Sequence, residues 1–200
     1  MRSDPFSSRR LLLKRAFAFG ALGVGAWAGF GRAQEIAPTP QCHDGDEPTK
    51  DDIEGPFFKP RSPERSDLVA PGTQGRVVHL EGLVLSRSCR PVTGAVLDLW
   101  HADENGDYDE EGFRYRGHLV SDSSGRYKFR TIIPGLYPGR TRHFHMKVQA
   151  PRQDLLTTQL YFPGEARNRL DDYFSPRLLL QIAQNAGAEN ARFDFVLDLP

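Results

Sequence analysis

The 200-residue chain balances 26 Lys and Arg against 26 Asp and Glu, so no excess of one sign recommends nucleic acid or an anionic membrane as its target. Two cysteines are too few for a disulfide-built scaffold. The length suits one domain with a sizeable core, and no internal repeat is visible.

In chain order, Ser8-Arg9-Arg10-Leu11-Leu12-Leu13-Lys14 resembles a twin-arginine export signal. The uncharged, Ala/Gly/Phe-rich run 16–31 that follows is shorter than the ~20 apolar residues of a membrane span, and Gly31-Arg32-Ala33 is a passable cleavage site. Residues 1–33 are therefore expected to be a signal peptide, leaving no stable membrane span and placing the mature protein in the periplasm or outside the cell. Six bases and one acid fall in 1–33, so 20 bases face 25 acids in 34–200, a net charge of −5.

Residues 34–75 carry Pro, Gly, Ser and charges with little periodicity and read as an extended arm wrapping the domain. The acidic trio Asp51, Asp52 and Glu54 reads there as a solvated loop. An even cysteine count in an exported chain permits a Cys42–Cys89 bridge, although spacing alone leaves two free thiols open. Residues 76–200 hold strand-like runs at 77–85, 95–100, 117–121, 127–133, 142–150, 156–162 and 193–199, with Ser123-Ser124-Gly125 as a hairpin turn. They predict an all-β fold, an antiparallel, Greek-key-like β-sandwich. One short helix is expected over 177–184, capped by Ser175 and begun by Pro176.

The chemistry-bearing side chains cluster between 98 and 162. A strand sends residues i and i+2 to one face, so His143 and His145 project together while Phe144, Met146 and Val148 face the other way. Tyr137 sits in Pro134-Gly135-Leu136-Tyr137-Pro138-Gly139, where two Pro and two Gly impose a fixed turn, and Tyr108 lies in the polar loop Asn105-Gly106-Asp107-Tyr108-Asp109. Taken singly these are common packing groups. Their order, with Arg140 three residues before His143, resembles the iron-binding core of the intradiol ring-cleavage dioxygenases, the family of protocatechuate 3,4-dioxygenase and the catechol 1,2-dioxygenases. The likeness runs from Glu54-Gly55-Pro56-Phe57-Phe58 to Thr158-Gln159-Leu160-Tyr161-Phe162.

That resemblance implies a non-haem Fe(III) held by Tyr108, Tyr137, His143 and His145, with Arg140 and Gln159 beside it and Tyr137 displaced when a catechol binds. It implies a small aromatic diol and O2 as substrates and a cis,cis-muconate type product. The donor types agree, because phenolates are hard anionic ligands that favour a trivalent ion over softer divalent ones. The role of Arg142 is open. His43, His79, His101 and His118 stay outside the metal set, with His101 expected in packing or in a supporting hydrogen bond. Two other readings remain: a non-catalytic sandwich module that binds an aromatic ligand or a metal, and a Zn or Cu hydrolase built on the two histidines. A homo-oligomer is left open.

Overall fold

A computed structural model of the chain describes residues 42–43, 47–185 and 188–200. The expected signal peptide at 1–33 and the first stretch of the arm lie outside them. No helix of the described residues is long and apolar enough to cross a membrane.

Alternation decides the strands. In β1 (Val77–Leu85) burial alternates, sending Val78, Leu80 and Val84 into the core. The strands β2 (Val96–Trp100), β3 (Arg116–Val120), β4 (Arg126–Ile132), β5 (His143–Gln149) and β6 (Leu155–Tyr161) follow, then β7 (Gln181–Asn185), β8 (Ala188–Arg192) and β9 (Phe195–Val196). One sheet has the order β4-β1-β8-β7, with β9 also paired to β1, and the other the order β3-β2-β5-β6. Between them Leu80, Phe129, Leu97, Leu99, Phe144, Met146, Leu160, Phe193 and Phe195 form a fully buried core. The expected sandwich is present. Most neighbours are antiparallel, while β8 and β9 run parallel to β1.

Three expectations are corrected. The helix at 177–184 is a single 3-10 turn, Pro176–Leu178, followed by β7, and Ser175 makes no side-chain cap bond. The Leu-Leu-Leu-Gln-Ile run fits either state, and pairing with β8 settles it as strand. A second 3-10 turn spans Ala166–Arg169. The turn at 123–125 closes with Gly125 N donating to Asp122 O at 2.9 Å, yet it joins strands of different sheets, because β3 pairs with β2 and β4 with β1. The run 193–199 is strand only over Phe195–Val196, since Asp194 turns its side chain inward to accept Leu83 N–H at 2.9 Å and interrupts the ladder between β8 and β9.

The arm covers sheet edges that would otherwise be open templates for another chain. Asp52 N donates to Thr157 O of β6 at 2.9 Å, Arg65 N to His118 O of β3 at 2.9 Å, and Arg130 N of β4 to Ser66 O at 2.8 Å. Its acidic trio is not simply solvated: Asp52 accepts the Tyr161 hydroxyl at 2.8 Å and Glu54 pairs with Lys147. A Cys42–Cys89 disulfide ties the arm to the loop after β1.

Candidate metal centre

Strand register sets out the floor of the site. On the outer face of the second sheet, Gln159, His145, Trp100 and Arg116 are successive cross-strand partners, and His143 pairs with Tyr161 one step along. This face would meet solvent but for the arm and two loops, which bury His143 and His145 to 4% and 3% exposure. Trp100 stacks on His145, 4.8 Å between ring centroids. Gly55 of the arm approaches the same imidazole so closely that a Cβ there would lie 3.2 Å from its Cε1.

The tyrosines come from two loops pressed backbone to backbone. Gly135 N donates to Asp103 O at 2.6 Å, and a Cβ on Gly106 would meet Leu136 O at 2.4 Å. Only glycines permit that approach, and Gly106 also takes φ of 98°. The Tyr108 loop is braced by Arg116, a buried guanidinium that donates to Phe57 O at 2.6 Å and Asp109 O at 3.1 Å. Phe57 in turn stacks on Tyr108 at 4.3 Å and meets Tyr137 edge-on at 5.4 Å. Arg142 braces the Tyr137 loop, donating to Pro134 O while its Nε binds Glu165 at 2.7 Å, which answers the role the sequence leaves open.

Three expected ligands converge. Tyr108 Oη lies 3.4 Å from His143 Nε2 and 3.1 Å from His145 Nε2, and the two Nε2 atoms are 3.1 Å apart. Tyr137 joins through its ring, 5.8 Å from that of Tyr108. Arg140 and Gln159 are bonded to each other, Nη2 to Oε1 at 2.7 Å. Gln159 gives its own amide to Ile53 O at 2.9 Å, which fixes that orientation. His101 stands apart, with Nδ1 at 2.7 Å from Ala102 O and Nε2 at 2.6 Å from Thr131 Oγ1, packed against Tyr115 and Phe144.

The protonation pattern suits a cation. His143 Nδ1–H donates to Thr141 O at 2.7 Å, so Nε2 presents a lone pair. Burial lowers the pKa of His143 to about 4 and holds that of His145 well below the usual range, so both rings are neutral. Burial also raises Tyr108 well above the ordinary phenol value, so a neighbouring cation is what would ionise it. His145 Nδ1 is buried without a hydrogen-bond partner. Donors about 2.1 Å from one ion stand about 3.0–3.4 Å from each other, the spacing found here. Among the described residues no group of three or more His, Cys, Asp or Glu could hold a metal, so an ion at this place depends on tyrosine oxygen.

A family model described as Dioxygenase matches residues 53–199. The chain belongs to the intradiol dioxygenase family. It is 32% identical over 178 residues to 6-chlorohydroxyquinol 1,2-dioxygenase of Cupriavidus pinatubonensis, covering 75% of this chain and 64% of that one. It is 26% identical to a catechol 1,2-dioxygenase of Pseudomonas sp., covering 71% of this chain and 54% of the relative. The chain thus spans about half to two thirds of such curated relatives. Among solved structures it is similar to the dioxygenase domain of a dioxygenase carbohydrate-binding protein fusion from Streptomyces sp. SirexAA-E, at 51% identity and a TM-score of 0.75, covering 77% of this chain and 100% of that domain. A 3-chlorocatechol 1,2-dioxygenase from Rhodococcus opacus 1CP is similar at 25% identity and a TM-score of 0.70, covering 76% and 74%.

Several residues that build this site escape sequence reading. Arg116, Tyr161, Asp171 and Tyr173 act through partners remote in the chain, and only the alternation of β3 and β6 hints that the first two face the site. Phe57, within the arm's Gly-Pro-Phe-Phe, carries a visible signal, an aromatic pair in an otherwise polar stretch.

Proposed function

We propose that the protein is a non-haem Fe(III)-dependent dioxygenase that opens a catechol-type ring between its hydroxylated carbons with O2, giving a cis,cis-muconate type diacid. The reading rests above all on the convergence of Tyr108 Oη with the Nε2 atoms of two buried, neutral histidines at 3.1–3.4 Å. Tyr108, Tyr137, His143 and His145 would hold the metal. Bound there, Fe(III) would supply Lewis acidity toward the diol and dispose the ring to react with O2.

The chain's own residues divide the remaining work. Tyr108 is fixed by Phe57 and the Arg116 brace, whereas Tyr137 lies next to exposed Pro138 and Gly139. Tyr137 is thus the phenol free to swing away and to hold a proton taken from the diol. Arg140 stabilises negative charge developing on the ring, a role a preorganised cation fills well where water is excluded. Phe57, Phe58 and Trp100 supply apolar walls that keep water out.

The same reading places the mature protein in the periplasm or outside the cell, reached through a twin-arginine type leader. The Cys42–Cys89 disulfide supports an oxidising compartment. Metal analysis with oxygen uptake on catechol tests the activity: iron in near-equimolar amount and O2 consumed one-to-one with catechol are expected. Zinc or copper without uptake would favour a hydrolase, and iron with bound catechol but no uptake a binding module.

A further inference from the structure

Arg140 can act on developing charge only if its fork is aimed, and the aim comes from a loop remote in sequence. The guanidinium is held from three sides. Asp171 Oδ2 accepts Nε–H at 2.8 Å, Gln159 Oε1 accepts Nη2–H at 2.7 Å, and the Tyr173 ring lies against its face with the centroid 4.7 Å from Cζ. Nη1 is engaged by no described residue and is left to meet a substrate. The carboxylate is itself fixed: Oδ2 also accepts Thr141 N–H at 2.8 Å and Oδ1 accepts Tyr173 N–H at 3.0 Å. Burial raises the Asp171 pKa, but the Thr141 N–H, the Arg140 guanidinium and the Tyr173 N–H outweigh it and hold the group below its usual range. Asp171 is therefore a charged partner, 8% exposed, bonded to the Nε edge of the arginine.

We propose that Asp171 is a positioning residue which, with the Tyr173 ring it anchors, sets the orientation of Arg140 toward the bound diol; this rests on reading the site as a diol dioxygenase. An arginine with one edge locked spends less freedom on each new hydrogen bond, so the lock belongs to catalysis as much as to folding. The ligand set keeps a second anchor besides the Asp171 bond to Thr141 N. Thr141, whose carbonyl accepts from His143, is also tied by its hydroxyl to Asn168 Oδ1 at 2.6 Å, and Asn168 is anchored on Phe162 O at 2.9 Å. Loss of Asp171 should thus release the arginine and spare the metal.

A double-mutant cycle on the full-length iron-loaded protein tests this, with Asp171→Ala, Arg140→Ala and both together. Asp171→Ala should lower kcat/KM by about 10- to 100-fold, weaken anaerobic diol binding as Arg140→Ala does, and leave iron content and the visible band of the resting protein unchanged. In the Arg140→Ala background it should have little further effect on either turnover or diol binding. Asp171→Asn, whose carbonyl can still face Nε and Thr141 N, should lose less, and it replaces the alanine variant in the cycle if that one does not fold. Equal factors in both backgrounds, or iron loss with normal turnover per bound iron, would overturn the proposal. A wild-type protein that binds no iron or consumes no O2 would instead defeat the functional reading beneath it.

Discussion

Gly135→Ala tests whether the crossing of the two tyrosine loops builds the site. Gly135 does not need a left-handed backbone, so the change is purely steric. Its new Cβ would lie 2.4 Å from Gly106 N, 2.6 Å from Glu104 O and 2.7 Å from Asn105 C, all backbone atoms that no rotamer change can move. Restoring ordinary contact near 3.4 Å requires the loops to part by about 1 Å. Overpacking of this kind costs about 1–3 kcal/mol, which for a domain of this size lowers Tm by roughly 3–10 °C. Displacing Tyr137 from Tyr108 by about 1 Å should lower turnover on the order of 100-fold. Thermal melts, iron content and oxygen uptake read all three. Gly72→Ala is the control, because it forces φ of 80° on alanine in open space. It should lose about 1–2 kcal/mol and nothing at the site. A Gly135→Ala protein with wild-type melting and turnover would refute the argument that close loop approach sets the tyrosine spacing.

Other outcomes follow from the same structure. Reducing Cys42–Cys89, which are 47 positions apart, should cost ~4 kcal/mol in the chain-entropy model, and two thiols titrating in freshly isolated protein would deny the bridge. Arg140→Ala should keep its iron and lose about 10²–10³-fold in turnover, as for one lost donor to a developing anion; iron loss with normal activity per iron would make the residue structural. His101 has its pKa lowered by burial to about 3, so the unfolded chain takes up the proton first. Its contribution is fully present above the unfolded value near 6.5 and is lost as pH falls toward 3, at about 1.4 kcal/mol per pH unit. Urea midpoints that stay level between pH 7 and 4 would contradict this.

What the chain discloses before folding depends on how local the cause is. His143 and His145 share a face because strands have period two, and Tyr137 is aimed by its own Pro-Gly turn. Those candidate side chains are therefore readable. The strand at 181–185 is not, since Ser175-Pro176 is a helix-start pattern and only pairing with β8 overrides it. Asp194 breaks an otherwise clean alternation by bonding to Leu83, 111 positions away. Asp171 and Arg116 are likewise invisible, because their work is done on Arg140, Thr141 and the backbone of Phe57, partners that only the fold brings near. The arm shows the middle case. Its composition announces irregular backbone, but its use in closing sheet edges and roofing the histidines appears only in three dimensions.

Visible absorption of the iron-loaded protein reports whether tyrosine oxygen binds a ferric ion. Phenolate-to-Fe(III) charge transfer should colour the resting protein red to brown. Tyr108→Phe and Tyr137→Phe should each alter that band. Adding catechol without oxygen should shift it, and admitting O2 should then remove the substrate-dependent absorption as the ring opens. Iron-loaded wild-type protein without such a band, or both variants keeping it unchanged, would contradict the tyrosine-ligated site and the ring-cleavage reading with it.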